Sequence, residues 1–251
     1  MYLRKNFFNL IKRYNVLYLN FIQQQENLYS HYVDKNYISS LTLMNISKYS
    51  SDSPLKCWNC NFTYKSDLFC SKCKVLQKPP ENLTYFDIID IPKTYDVNVT
   101  EIQKKYKELQ KLLHPDKFSN KSEKEKQFSE ILSSLVNKAY STLLHPLKRG
   151  LYMLELNGIT ISEGTDNVNA EFLMEIMEKN EEIEDAANNE EKIKKLIQEN
   201  ETILNNLIMN VAVAFEQEDI KKAESLLIQM KYYNSINNRL KKLKYDLGII
   251  E

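Results

Sequence analysis

The distribution of glycine and proline constrains this chain more than any other feature of its sequence. Its 251 residues include four glycines, and no proline follows Pro146. Neither residue occurs between Gly164 and Gly248. Glycine and proline interrupt helices more strongly than any other residues, so a stretch of this length without them predicts long helices. We therefore expect the last hundred residues to be almost entirely helical.

The charge balance narrows the possible functions. Lysine plus arginine and aspartate plus glutamate both number 34, so the formal net charge is zero. Bulk attraction to nucleic acid or to a membrane surface is therefore not expected, and any electrostatic recognition must come from local segregation of charge. No run of 18 apolar residues occurs, so membrane insertion is not expected either. The length allows one to three domains.

The first 50 residues are predicted to be a leader rather than part of the fold. The first acidic residue is Glu26, and four basic residues precede it, namely Arg4, Lys5, Lys12 and Arg13. Apolar residues recur there at helical spacing. A basic amphipathic start is typical of an organellar transit peptide, and an ordinary surface helix or disordered tail is the alternative. Residues 1–50 are thus predicted to be a transit peptide and flexible leader.

All four cysteines lie in two C-x2-C pairs separated by nine residues: Cys57, Cys60, Cys70 and Cys73. Two such pairs can place four thiolates around one tetrahedral ion, and four protein ligands leave no position for a substrate water. Residues 54–78 are therefore predicted to hold a structural Zn²⁺, with iron in a rubredoxin-like site as the alternative ion. Disulfides are a further alternative, disfavoured in an intracellular protein.

A basic amphipathic helix is predicted over residues 101–113. Thr100 and Gln103 would form a capping box at its start. Its apolar face and its opposite, basic face are defined by helical spacing. The apolar face consists of Ile102, Tyr106, Leu109 and Leu113, and the basic face of Lys104, Lys107 and Lys111.

The tripeptide His114-Pro115-Asp116 follows the last turn of that helix. Proline cannot continue the helix, so the imidazole and the carboxylate are expected to be held apart on a fixed, solvent-facing corner. No serine or cysteine nucleophile stands beside them, which favours a contact role over catalysis. Ser122 and Glu125 would cap the next helix. Two antiparallel helices would then hold the corner at the end where they join.

Residues 84–149 resemble a J-domain. The resemblance rests on the Tyr-Phe-Asp-Ile-Ile start, the basic second helix, the His-Pro-Asp corner and the segment Asn137–Leu143. In J-domains the tripeptide and the basic helix dock on a DnaK-type ATPase chaperone and stimulate its ATP hydrolysis. The resemblance thus implies a chaperone-binding set of His114, Pro115, Asp116, Lys104, Lys107 and Lys111.

Three further segments are similar to the HscB family of iron–sulfur cluster co-chaperones: residues 145–159, 172–178 and 214–219. The cysteine pairs match the zinc-bearing eukaryotic branch. The resemblance covers about residues 57–245 and implies an all-α protein without enzymatic activity. Its expected parts are a small zinc-ribbon or rubredoxin-like module, a J-domain with the following helix over 84–158, and a three-helix bundle over 168–246. It also implies two partners, an IscU-type scaffold and a mitochondrial DnaK/HscA-type chaperone. The expected location is the mitochondrial matrix, with the cytoplasm as an additional location.

The first helix of the predicted bundle, about residues 170–187, carries more apolar surface than one core contact requires. Phe172, Ile176 and Ile183 share one stripe, whereas Leu173 and Met177 lie about 100–140° away. Either the J-domain packs over this second stripe or a partner protein binds it. On the last predicted helix, Tyr232 lies away from the line of apolar residues that would face the core. The family resemblance implies a scaffold-binding set of Leu173, Met174, Met177, Glu178, Glu181 and Tyr232.

Three rival functions stay open at this point. A zinc-ribbon nucleic-acid binder would use aromatic residues near the lysines of the cysteine module, namely Trp58, Phe62, Tyr64 and Phe69. A metal-dependent or thiol enzyme would need an open metal position or a reactive thiolate. A J-domain protein acting on a different client is the third rival.

Overall fold

The computed structural model describes residues 55–64, 68–78, 83–161 and 168–248. In these residues two short β-strands precede seven α-helices. The strands are β1 (Leu55–Lys56) and β2 (Thr63–Tyr64). The helices are α1 (Tyr85–Ile89), α2 (Val99–Leu113), α3 (Glu123–Leu144), α4 (Pro146–Leu156), α5 (Ala170–Asp185), α6 (Glu190–Glu216) and α7 (Ile220–Asp246), with a 3₁₀ turn over Pro115–Phe118. The predicted leader, residues 1–50, lies outside the described residues.

The predicted all-α class is confirmed, and the strand residues found in the described ranges form a two-residue antiparallel hairpin. Leu55 pairs with Tyr64 and Lys56 with Thr63. An isolated bridge joins Phe69 to Leu76 in the second half of the same cysteine module, residues 55–78. None of the helices in the described ranges combines the length and the apolar character needed to cross a membrane.

Helices α2 and α3 form an antiparallel hairpin, as predicted. Ile102 and Leu113 on the apolar face of α2 are fully buried. Along the interface, residues later in α2 contact residues earlier in α3. The Tyr106 ring stacks on Tyr140, and the Leu113 carbonyl accepts a hydrogen bond from the Ser129 hydroxyl. The two helices therefore run in opposite directions and bring residues 114–122 to one end.

The predicted start of α2 is wrong by two residues. Asn98, rather than Thr100, is the N-cap, and its Oδ1 accepts the backbone N–H of Thr100 at 3.1 Å and of Glu101 at 3.2 Å. The Thr100 hydroxyl is occupied as a donor to the same oxygen. Asparagine is among the best N-capping residues, so Asn98 competes successfully with Thr100. At α3 the predicted Ser122–Glu125 capping box is confirmed.

The three long carboxyl-terminal helices α5, α6 and α7 confirm the prediction drawn from the absence of helix breakers. Apolar side chains from α6 and α7 form much of a shared core, including Ile193, Val211, Leu227 and Leu240. Helix α5 adds Ile176 and Ile183 to this core. Polar contacts also tie α5 to α7, because Arg239 donates to Asn180 and to Glu184 at 2.9 Å each.

Helix α4 connects the α2–α3 hairpin with the bundle. Gly150 faces Leu227 of α7 so closely that a Cβ there would lie 2.4 Å from a Leu227 methyl carbon. Nearby, the Tyr95 ring stacks on Phe215 at 5.5 Å between centroids, and the Arg149 guanidinium lies 4.9 Å from the Tyr95 ring centre. A residue without a side chain therefore lets α4 pack directly against the bundle.

Candidate functional site

The His114–Asp116 corner forms where α2 ends. His114 has extended backbone angles, as a residue before proline favours, and Pro115 opens the 3₁₀ turn. The expectation that imidazole and carboxylate are held apart is wrong: His114 Nδ1 lies 3.4 Å from Asp116 Oδ2. The tight turn causes this, because it also brings the backbone N–H of Asp116 within 3.3 Å of the same nitrogen.

Both polar side chains of the corner face solvent. The His114 side chain is 53% exposed and that of Asp116 is 88% exposed. Below them the corner is anchored, because Phe118 is buried and Leu113 is fully buried. His114 Nδ1 accepts a hydrogen bond from the Asp116 backbone N–H, which links the two residues. The corner is thus a rigid, polar contact surface.

The lysine face of α2 flanks the corner. Lys104, Lys107 and Lys111 are exposed, and none of them makes an ion pair with another described residue. Lys105 differs from them, because it pairs with Asp90 at 2.9 Å and with Glu101 at 3.6 Å. These contacts raise the pKa of Lys105, chiefly through its hydrogen bond to Asp90. Lys105 thus ties α2 to the end of α1, while the three lysines of the lysine face are available to an anionic partner.

The four cysteines come together as predicted. Their sulfur atoms all lie within 4.8 Å of one another. The Cys57–Cys73 and Cys60–Cys70 sulfur distances are 3.6 and 3.7 Å, so each C-x2-C pair contacts the other. Each turn is closed in the same way, by a backbone N–H that donates at 2.9 Å to the carbonyl of the first cysteine: Asn61 to Cys57 and Lys74 to Cys70.

The environment of these sulfur atoms suits a cation. Although burial opposes ionisation of Cys57, the backbone N–H groups of Cys60 and Asn59 point at its sulfur and lower the pKa to about 6. At Cys60 the N–H of Phe62 favours the thiolate, but burial and the neighbouring cysteines raise the pKa to about 12. Four soft donors converging in this way fit one tetrahedral metal ion, and Cys57, Cys60, Cys70 and Cys73 would be its ligands.

The second apolar stripe of α5 lies outside the core. Phe172 packs against the core among the described residues, whereas Leu173 and Met177 do not, and both are half-buried. Met174 is 47% exposed. Glu178 and Glu181 are exposed beside them. We call Leu173, Met174, Met177, Glu178 and Glu181 the methionine patch.

Tyr232 of α7 lies next to the start of the methionine patch. Its ring makes an edge contact with Phe172 at 5.6 Å between centroids. Tyr232 is half-buried rather than fully exposed, and this burial raises its pKa. Phe172 thus links Tyr232 on α7 to the predicted scaffold-binding residues on α5.

Comparison with known proteins identifies the family. Two family models match: the DnaJ domain over residues 84–152 and the HSCB C-terminal oligomerisation domain over residues 168–241. Mouse iron–sulfur cluster co-chaperone protein HscB is 42% identical over an alignment of 199 residues, and the match covers 76% of this chain and 84% of the mouse protein. The chain belongs to the HscB family.

Other HscB proteins agree in sequence and in structure. The HscB homologue of Arabidopsis thaliana is 33% identical over 198 residues, covering 78% of this chain and 77% of the plant protein. The crystal structure of human HscB matches with a TM-score of 0.73 and 40% sequence identity. The match covers 77% of this chain and all of the human chain. The protein is therefore a J-domain co-chaperone of iron–sulfur cluster biogenesis, and the predicted family is confirmed.

Sequence reasoning missed the residues that hold the HscB surfaces in place. Ser129 is fully buried, and its hydroxyl donates at 2.7 Å to the Leu113 carbonyl directly before the corner. Tyr233 is buried and donates to Glu175, which ties α5 to α7. A polar residue on the apolar face of a helix, as Ser129 is on α3, was the available signal. Glu175 offered none, because an exposed glutamate on an acidic helix is ordinary.

Proposed function

We propose that this protein binds an IscU-type scaffold and delivers it to a mitochondrial DnaK/HscA-type chaperone, whose ATPase it stimulates. The observation that carries the proposal is the exposed His114–Asp116 corner, anchored on buried Leu113 and Phe118. Beside it lies a lysine face that makes no ion pair with the other described residues. The basic stretch within residues 1–50 supports the mitochondrial location.

The chaperone is expected to bind the corner and Lys104, Lys107 and Lys111 together. Exposed lysines attract a negatively charged partner over distances of about a Debye length, roughly 10 Å at 0.1 M salt. Such steering raises the association rate more than the final affinity. The corner then supplies the specific contact, because Asp116 presents a carboxylate that the turn holds in one place.

The scaffold is expected to bind the methionine patch and Tyr232. Unbranched methionine side chains adapt to a partner surface, and aromatic side chains at an interface contribute much of the binding free energy. Glu178 and Glu181 give the patch an acidic edge, which favours basic residues on the scaffold.

One chain carrying both surfaces raises the concentration of scaffold near the chaperone. A tether between two binding sites converts the second association into an intramolecular one and can increase the apparent affinity by about 10²–10⁴. Packing of Gly150 against Leu227 supports a defined spacing between the two surfaces.

Zn²⁺ is the ion that we assign to Cys57, Cys60, Cys70 and Cys73, and its role is structural. With four sulfur ligands the ion cross-links the two C-x2-C turns and has no position for substrate. Metal analysis of the protein purified without added metal is expected to give one zinc per chain. A Cys60→Ser variant is expected to lose it, whereas finding iron instead would contradict the assignment.

Single-turnover ATP hydrolysis by the chaperone tests the role of the corner. The wild-type protein is expected to accelerate hydrolysis, the scaffold to enhance this effect, and Asp116→Asn to abolish it. Asp246→Asn, which changes an exposed carboxylate at the end of α7, is the matched control. Equal stimulation by Asp116→Asn and wild type would contradict the role of the corner.

Scaffold capture tests the methionine patch. A Leu173→Ser/Met177→Ser variant is expected to lose binding to the immobilised scaffold. Met209→Ser is the control, because Met209 is 58% exposed on α6, outside the patch. Retained capture by the double variant would show that Leu173 and Met177 serve internal packing only. Failure of the wild type to capture the scaffold, together with strong ATPase stimulation, would point instead to a J-domain protein that serves a different client.

A further inference from the structure

Trp58 connects the cysteine module to helix α3. It stands between Cys57 and Cys60 in the sequence, and its ring makes an edge contact with Phe128 at 6.3 Å between centroids and 78° between planes. The Lys124 ammonium lies 5.2 Å from the centre of the same ring. A tryptophan flanked by two ligand cysteines thus lies against the first turns of α3.

The same residue is held firmly within the module. Trp58 Nε1 donates at 2.8 Å to the Leu76 carbonyl, and Leu76 is fully buried in the hydrophobic core. The neighbouring Gln77 side chain donates to the Val75 carbonyl at 2.7 Å and to the Cys57 sulfur at 3.4 Å. The first C-x2-C turn thus carries the indole, and the segment that follows the second turn holds it.

A short chain of contacts leads from Trp58 to the corner. Phe128, which meets the indole, directly precedes Ser129, whose hydroxyl holds the Leu113 carbonyl. Leu113 directly precedes His114. Displacement of the first turns of α3 would therefore move the residue on which the corner is anchored.

The position of Trp58 is expected to depend on the metal. The described part of the module contains two strands of two residues each, too little regular structure to be stable alone. Small modules built on four cysteines generally obtain their folding free energy from the ion. Without the ion, the turn that carries Trp58 loses the cross-link that holds it against α3.

We propose that the cysteine module is a metal-dependent brace for the first turns of α3, and that Trp58 is the positioning residue that transmits metal occupancy to the His114–Asp116 corner. The brace is a property of the chain itself. Its consequence for the chaperone, weaker ATPase stimulation by the metal-free protein, rests on the proposed function.

The fluorescence of Trp58 tests the first step, because it is the sole tryptophan of the chain. Removal of the ion from the full-length protein with a strong zinc chelator, under reducing conditions, is expected to shift the emission to longer wavelength as the indole enters water. Addition of Zn²⁺ is expected to restore the emission. An unchanged spectrum after verified metal loss would overturn the proposal.

Amide hydrogen exchange tests the transmission to α3 without any chaperone. The metal-free protein is expected to exchange residues 123–130 about tenfold faster, as the loss of one aromatic and one cation–π contact implies. Residues 200–214 of α6 serve as the internal control. Equal exchange of residues 123–130 with and without the ion would overturn the brace.

Two variants separate the brace from metal binding. Phe128→Ala leaves all four cysteines in place, so it is expected to retain one ion per chain yet show the faster exchange of residues 123–127. Phe62→Ala changes an exposed ring within the module and is expected to behave as wild type. Normal exchange in Phe128→Ala would overturn the assigned path, whereas failure of the wild type to stimulate ATP hydrolysis would contradict the proposed function alone.

Discussion

Gly150→Ala is expected to destabilise the protein, although alanine favours helices more than glycine does. The added Cβ would lie 2.4 and 3.0 Å from the two Leu227 methyl carbons and 3.2 Å from Tyr95 Cε2. Leu227 is fully buried and therefore has little room to turn away. The new methyl group must push α4 and α7 apart or force Leu227 into an unfavourable rotamer.

Opposing contributions set the size of this effect. An extra methyl group in a packed core typically costs about 1–3 kcal/mol. Replacing glycine by alanine within a helix stabilises the helix by about 1 kcal/mol. We therefore expect a net loss of about 1 kcal/mol in the free energy of unfolding. With a urea m-value of about 2 kcal/mol/M, the midpoint should fall by about 0.5 M.

Urea unfolding followed by far-UV circular dichroism measures this change, and a second substitution tests its cause. Leu227→Ala removes the methyl carbons that the new Cβ would meet. In that background Gly150→Ala should become neutral or stabilising, because the helix propensity term then acts without the clash. A rise in the midpoint when Gly150→Ala is made in the wild type, or an equal cost in both backgrounds, would refute a clash with Leu227.

Further predictions concern the start of α2, a buried tyrosine and the lysine face. Asn98→Ala should lower the free energy of unfolding by about 0.5–2 kcal/mol, whereas Gln103→Ala should change it by less than about 0.5 kcal/mol. Equal effects of the two substitutions would instead support the predicted capping box of Thr100 and Gln103. Burial outweighs the nearby Arg149 charge and raises the pKa of Tyr95 to about 12, so its contribution to stability is complete below pH about 10 and is lost as pH rises through 12. Tyr95→Phe should therefore reduce the alkaline loss of stability between pH 9 and 12, and an undiminished loss would contradict this assignment. Raising salt from about 50 to 200 mM should slow chaperone association, and an unchanged rate would count against the lysine face.

The helices could be predicted because their signals are local. The absence of glycine and proline between residues 165 and 247 predicted α5, α6 and α7, and Ser122 with Glu125 marked the start of α3. The predicted Thr100 cap was wrong because asparagine and threonine compete for the same capping position, and the better acceptor, Asn98, stands two residues earlier. Sequence spacing also separated the core stripe of α5 from Leu173 and Met177.

Contacts between distant segments could not be predicted in this way. Nothing in the sequence near Cys57 states that Trp58 meets Phe128, 70 residues later. The approach of the His114 imidazole to Asp116 depends on a 3₁₀ turn, which the presence of Pro115 permits but does not require. The packing of whole helices decides the first contact, and the conformation of the turn decides the second.

The most direct test of the central claim asks whether both docking surfaces must belong to one chain. Asp116→Asn lacks the chaperone contact, and Leu173→Ser/Met177→Ser lacks the scaffold contact. Scaffold-enhanced, single-turnover ATP hydrolysis is measured with each variant and with their equimolar mixture, against the wild type. The mixture should fail to restore the enhancement, because neither chain can hold scaffold and chaperone together. Full restoration by the mixture would contradict a single-chain adaptor.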